Sequence, residues 1–260
     1  MKFLPTFRLA LGALALSVAG LTAPVASAET ARLAVGLGAQ GQIAPRYPGA
    51  DRYAARPGAI FSLQSLRIGG VTLSQSDGWF DRDGTGVRGS LRVIGSRKAS
   101  DNPELQGLED ISTALELGAG IYHKTRDFQV YLDVRHGVTG HRGWAGDVGM
   151  DVFMRPVEGL TLAAGPRAGF ADGGYMRQYF GVTGAEAAAS GLDSFTPGSG
   201  FHSAGLGLRA VYELDRDWAI HGAIGYDRLI SDAGRSPIAR QGSRDQFSVS
   251  LGVARVFRLH

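Results

Sequence analysis

The chain has 260 residues, 44% hydrophobic and 20% charged, and its 27 Lys and Arg against 24 Asp and Glu give a formal charge of +3. So even a balance, with no basic run, excludes a nucleic-acid partner, and the absence of cysteine excludes a disulfide framework. The 39 glycines favour strands and tight turns over helices.

Residues 1–28 read as a cleaved secretory signal. Lys2 and Arg8 give a positive start, residues 9–21 form an uncharged apolar run, and Ala26-Ser27-Ala28 is a small-x-small cleavage site. A retained membrane helix is the rival reading; Pro24, the small-residue exit and the acidic Glu29 favour cleavage. Cleavage leaves 232 residues, 29–260, predicted as one domain, and losing Lys2 and Arg8 lowers the formal charge to +1. The new start has no Cys and cannot be lipidated as a bacterial lipoprotein is.

Beyond residue 28 no uncharged apolar stretch approaches the roughly 20 residues of a membrane helix, and the mean hydropathy is −0.03. Alternation with a period of two fills the chain instead. Residues 128–135 place Phe128, Val130, Leu132 and Val134 on one face and Gln129, Tyr131, Asp133 and Arg135 on the other. Such strands are predicted over 31–41, 57–67, 70–76, 86–95, 111–122, 127–138, 145–155, 159–170, 201–214, 217–229 and 244–257. The apolar face takes Leu33, Val35 and Leu37; Leu115, Leu117 and Ile121; Val148, Met150 and Val152; Leu206, Leu208 and Ala210; Trp218, Ile220 and Ile224; and Phe247, Val249 and Leu251. The opposite face takes Arg88, Arg92, Glu116, Asp133, Arg135, Asp147, Asp151, Arg167, Arg209, Glu213 and Asp227.

Repeated apolar-out, polar-in strands behind an export signal predict an all-β, transmembrane antiparallel barrel in the cell outer membrane, with lipid around it. A soluble sandwich or lipocalin-like barrel shares the periodicity with its faces reversed. Connections 96–110, 139–144, 171–200 and 230–243 are long, and 123–127, 155–159 and 214–217 are tight. Long outer loops, short periplasmic turns and both termini inside match an outer-membrane barrel. The long 42–56 connection must then also lie outside, so an odd count fails. A short extra strand through Trp79-Phe80 gives about 12 strands, the favoured count; treating 70–76 as loop gives 10. Residues 185–190, between Gly184 and Gly191, predict a single helical decoration on an outer loop.

No catalytic residue, cofactor or metal site is expected. Gly36-Leu-Gly-Ala-Gln-Gly41 matches a dinucleotide fingerprint, but Pro45 and Pro48 follow where that motif needs a helix. His136 and His141 flank a glycine-rich turn without a metal-ligand motif around them. His141 with Asp147, or His202-Ser203 as part of a barrel hydrolase, lacks the third partner that nucleophilic chemistry requires. The mixed-sign inner face reads first as ion pairs across strands that fill and stabilise the lumen. A selectivity-determining pore lining is the sharper reading, but such a barrel is narrower than the 16–18-stranded porins that hold open channels.

Tyr175-Met-Arg-Gln-Tyr-Phe-Gly-Val-Thr183, followed by Ala187-Ala-Ala-Ser-Gly-Leu192, closely resembles the MipA/OmpV family of outer-membrane proteins. Ser236-Pro-Ile238, Gly242-Ser-Arg-Asp-Gln-Phe247, Tyr47-Pro-Gly49, Leu115-Glu-Leu-Gly118 and Gly140-His141 with Asp147 extend the resemblance over nearly all of 29–260. The resemblance implies an outer-membrane barrel. Through the family's name-giving member it also implies a non-enzymatic scaffold between a murein lytic transglycosylase (MltA) and a bifunctional murein polymerase, in peptidoglycan synthesis and turnover. A small-solute channel or an adhesion-linked outer-membrane protein is the alternative. No catalytic residues come with the family. Family chains tend to end on an aromatic residue read by the assembly machinery, whereas here Phe257 is followed by Arg258-Leu259-His260.

Overall fold

The computed structural model describes residues 33–68, 71–77 and 79–259. The expected signal segment, 1–28, lies outside the described residues. Alternation governs the wall: in β7 (Phe128–Gly137), Val130 and Leu132 point outward and are exposed, while Gln129, Asp133 and Arg135 point inward and are buried. The same facing runs through β1 (Leu33–Pro45), β2 (Tyr53–Ile68), β5 (Gly84–Ile94) and β6 (Ala114–Lys124). It continues through β8 (Trp144–Val157), β9 (Leu160–Ala171), β10 (Gly200–Glu213), β11 (Trp218–Leu229) and β12 (Asp245–Leu259). Phe61, Val87, Ile121, Leu206, Ile224 and Leu251 are among the large apolar side chains left exposed on the outside. A wall with apolar residues outside and charges inside suits lipid, not water. No described helix is long and apolar enough to cross a membrane, which says nothing of crossing by strands.

All neighbours are antiparallel, in sequence order from β5 to β12, and β12 then pairs with β1 and β1 with β2. The first and last strands of the wall are therefore zipped together, from Leu33 against Leu259 to Ile43 against Val249. Tight turns lie at one end: Glu158 and Gly159 join β8 to β9, with Gly159 at φ 76°. Between β10 and β11 the Asp215 carboxylate accepts the N–H groups of Asp217 and Trp218, both at 2.8 Å. The long connections, with all four described α-helices, lie at the other end, which is the outer end by the termini-inside rule.

The strand count differs from the expected twelve. Two further strands exist, β3 (Val71–Asp77) and β4 (Phe80–Asp81), but with seven and two residues they are too short to cross. A tilted membrane strand needs about 9–11 residues. Ten strands thus form the wall, the alternative count. β3 pairs with β2 only over residues 65–68, and the chain then turns Trp79 and Phe80 into the lumen instead of through the membrane. Among the described residues no ladder joins β2 to β5, so the barrel is nearly closed, with one seam. A cavity of about 660 Å³ lies along it, lined by Ile60, Phe61, Arg88 and Leu91 among others. Near the outer end Arg56 reaches from β2 to the position a Cβ on Gly95 would occupy. Amides of β5, and of β2 before Ser65, are expected to exchange hydrogen faster than those of β7–β11, which have partners on both sides. Uniform protection across the ten strands would show that the seam is zipped.

The outer loops also depart from expectation. Segment 171–200 holds two helices rather than one, α1 (Gly173–Phe180) and the expected α2 (Gly184–Ser190). Two more, α3 (Ser231–Arg235) and α4 (Pro237–Gln241), follow β11. The Asp172 side chain caps α1 by accepting the Tyr175 N–H at 2.8 Å, which stops β9 and starts the helix within two residues.

Candidate functional site

The lumen is built in three tiers. The middle tier is charged, and glycines on intervening strands make it. Arg88 of β5, Gly120 of β6 and Asp133 of β7 lie in one row of the sheet. With no side chain on Gly120, the Arg88 guanidinium reaches over it and forks onto Asp133, Nε to Oδ1 at 3.0 Å and Nη2 to Oδ2 at 2.7 Å. Its third nitrogen, Nη1, donates to Asp81 at 2.6 Å. The next row repeats the device: Ser90, Gly118 and Arg135 align, and Arg135 donates to Ser90 Oγ at 3.0 Å across the glycine. Arg135 also donates to Glu116 at 3.1 Å and pairs closely with Asp147. Glu116, wholly buried, holds His141 at 3.1 Å and has Arg92 at 3.9 Å. Arg209 pairs with Asp151 at 2.8 Å.

The outer tier is aromatic and is carried by α1. Tyr175 and Tyr179 set their rings edge-on to His141, with centroids 5.2 and 5.5 Å away, and Tyr175 stacks on His202 at 5.5 Å. The Tyr175 hydroxyl accepts from Arg92 at 3.0 Å, tying the helix to the charged tier below. Above α1 a second apolar cluster of Tyr47, Ala50, Leu105, Leu108, Val182 and Ile238 binds the loops together. The inner tier, toward the tight turns, is the Trp79-Phe80 floor. Trp79 meets the His221 ring edge-on at 4.6 Å, and Phe80 meets Phe153 at 5.3 Å over Ala163, Val211 and Ala219.

The residues singled out from sequence fall differently from any catalytic set. His141 is engaged by Glu116, not Asp147, which serves Arg135 instead. His202 and Ser203 are adjacent in β10, yet both ring nitrogens of His202 are buried without a hydrogen-bond partner. The glycines of 36–41 lie within β1, and Trp79 packs against Gly36 where a Cβ would stand. Among the described residues no group of three potential metal-binding side chains comes together. The aromatic floor and α1 were not read from the sequence. Asp172-Gly173-Gly174 was the available signal for α1, a capping residue directly before a helix start.

Two carboxylates hold the outer cap. Glu186 closes a capping box with Thr183 and accepts the Glu109 N–H at 3.0 Å, and Asp172 caps α1. Burial pushes both up, but the hydrogen bonds from Tyr175 N–H to Asp172, and from Glu109 and Thr183 to Glu186, outweigh it and hold both below the usual carboxylate range. Depressed folded values mean that their stabilisation is complete above about pH 4 and is lost as pH falls through them. Protease cleavage within 172–199 is therefore expected to rise on acidification. A cap equally resistant throughout the carboxylate range would contradict this.

The family model for MltA-interacting protein MipA matches residues 37–257. The chain belongs to the MipA family. It is 25% identical over 148 residues to the MltA-interacting protein of Escherichia coli strain K12, a match covering 54% of this chain and 56% of that one. The figures are the same for the MltA-interacting protein of Shigella flexneri, so the match spans about half the length of these relatives. Similar solved structures include the N-terminal β-barrel domain of Pseudomonas aeruginosa OprF, with TM-score 0.29 and 10% identity, covering 87% of this chain and 99% of that one. Pseudomonas putida OprB is another, with TM-score 0.35 and 10% identity, covering 80% and 49%.

Four of the segments that carry the MipA resemblance, 47–49, 175–183, 236–238 and 242–247, meet in the outer cap. Gly49 N–H donates to Gln246 Oε1 at 3.0 Å, and Ser243 N–H donates to the Gly49 carbonyl at 2.8 Å. The Ser236 hydroxyl donates to the Phe180 carbonyl at 2.7 Å. In this MipA-family barrel these motifs thus join three outer connections above the charged tier.

Proposed function

We propose that this MipA-family chain is exported by cleavage of residues 1–28, that 29–260 inserts as one barrel in the outer membrane, and that it serves there as a non-enzymatic scaffold for murein synthesis and turnover enzymes. The observation that carries this reading is a lumen obstructed by paired charges and by its aromatic floor. Arg88, Asp133, Arg135 and Glu116 pair across it, α1 packs under the outer loops, and its inner end is packed with the Trp79-Phe80 floor. That leaves the rims, not a through-pore, as the surface for a protein partner. By the name of its relatives, a murein lytic transglycosylase is the first partner proposed; a bifunctional murein polymerase, implied only by the family resemblance, is the second.

Both partners act on the periplasmic side, where the turns at 125–127, 158–159 and 214–217 are short. Stable interfaces usually bury about 1,200–2,000 Å², so the contact either combines several turns with the residues from Glu29 onward or is weak and transient. Arg126 and Arg216 are suited to test it, because their structural hydrogen bonds run through their backbone carbonyls, to Arg155 at 2.9 Å and Arg258 at 3.1 Å. The double substitution Arg126→Ser and Arg216→Ser is expected to weaken transglycosylase co-purification several-fold from mild-detergent extracts, with heat-modifiable gel mobility unchanged. Undiminished capture, or no capture by the parent protein, would defeat the scaffold reading. In planar bilayers the parent protein should be silent, and Trp79→Ala with Phe80→Ala should conduct. A conducting parent would favour the channel.

A further inference from the structure

We infer that the lumen contains a binding chamber, closed toward the periplasm, for a small organic anion (a carboxylate or a phosphate) that also carries a hydroxyl or ammonium donor, with Arg167 as the anion-binding group. The chamber holds about 500 Å³, within the ~300–1,000 Å³ typical of small-molecule sites. It runs from beneath Tyr175 to the β1–β2 connection, where residues 45–48 line it at the outer rim.

The argument rests on a third glycine row. Arg167 of β9, Gly205 of β10 and Asp227 of β11 share one register, as Arg88, Gly120 and Asp133 do. In the first row the arginine and aspartate meet across the glycine at 2.7 Å. In this row they do not meet: no hydrogen bond, and no ion pair within 4.0 Å, joins Arg167 or Asp227 to any described residue. Arg167 instead lies over Gly207, where a Cβ would collide with its guanidinium, and Asp227 leans over Gly205, with its Oδ1 2.5 Å from where a Cβ would be. Two glycines thus keep both groups against the wall and the space between them clear.

Beside them His202, only 6% exposed, has both ring nitrogens buried and without partners, and the Arg167 Nε is likewise buried and unpartnered. Buried polar groups in native proteins are nearly always satisfied, by protein, water or ligand. Arg92 adds a second cation whose nearest carboxylate oxygen, on Glu116, is 3.9 Å away. Guanidinium groups match carboxylate and phosphate geometry through paired N–H donors. Asp227 and Ser203 then offer acceptors to a donor on the same solute.

Isothermal titration of the folded barrel in detergent with inorganic phosphate, glycerol 3-phosphate and glutamate tests this and separates the phosphate and carboxylate sources. At least one probe should bind saturably, and Arg167→Gln should weaken it tenfold or more, while Arg142→Gln, on the exposed outer loop, should leave it unchanged. A measurement on the parent protein covers the case in which the variant fails to fold. Phenylglyoxal modification of Arg167, mapped by mass spectrometry, should slow in the presence of the probe that binds. Absence of saturable binding by every probe, equal affinity in Arg167→Gln, or unprotected Arg167 would overturn the inference and leave a water-filled void.

Discussion

Glu116→Ala is expected to destabilise the barrel by about 3–5 kcal/mol, the cost of removing one partner from a buried ion pair. Glu116 sits on β6 at the meeting point of β5, β7 and the 138–143 loop, and its side chain is wholly buried. It accepts from Arg135 and His141, both at 3.1 Å. Removing it leaves the Arg135 guanidinium, itself almost fully buried, with Asp147 as its only close carboxylate among the described residues. It also frees His141, on which Tyr175 and Tyr179 of α1 rest, so the cap should loosen together with the wall. Urea unfolding of the barrel in lipid vesicles measures the first effect and protease sensitivity within 172–199 the second. A loss below 1 kcal/mol with an unchanged cap would mean that water enters and solvates the network. Glu116→Gln, which retains an acceptor oxygen, should fall between the two.

Leu132→Arg is expected to cost about 2–4 kcal/mol, the range for a cation placed at mid-membrane on the lipid face of a barrel. Leu132 is 36% exposed on the outside of β7 and Asp133, one residue on, is 8% exposed on the inside. Asp133→Leu should also destabilise, for the opposite reason: it removes one of the two carboxylates that Arg88 pairs with among the described residues, leaving Asp81 at 2.6 Å. The same unfolding measurement distinguishes the cases. A harmless Leu132→Arg beside a damaging Asp133→Leu would mean that the outer face meets water, and the barrel would then be a soluble one.

The wall was legible because its signal is local. Each strand declares its two faces over five or six residues, as 128–135 does, and the loop lengths declare which end is which. All eleven strands expected from the sequence occur, with ends displaced by a few residues. The last runs on to Leu259 because Arg258 is held by the 214–217 turn, through Asp217 and the Arg216 carbonyl. The strand count was less legible. Residues 70–81 carry enough alternation for strands but too little length for two crossings, and nothing local says that Trp79 and Phe80 turn inward.

By itself, then, the sequence determined the strands, their facing, which connections share an end of the barrel and membership of the MipA family. Tertiary structure alone decided which charges pair, which are left over, and what fills the lumen. The reason is register. Arg88 finds Asp133, and Arg167 fails to reach Asp227, through contacts that skip a strand and depend on which glycine stands between. Side-chain alternation places a residue inside the barrel; only the summed registers of its neighbours fix what it meets there.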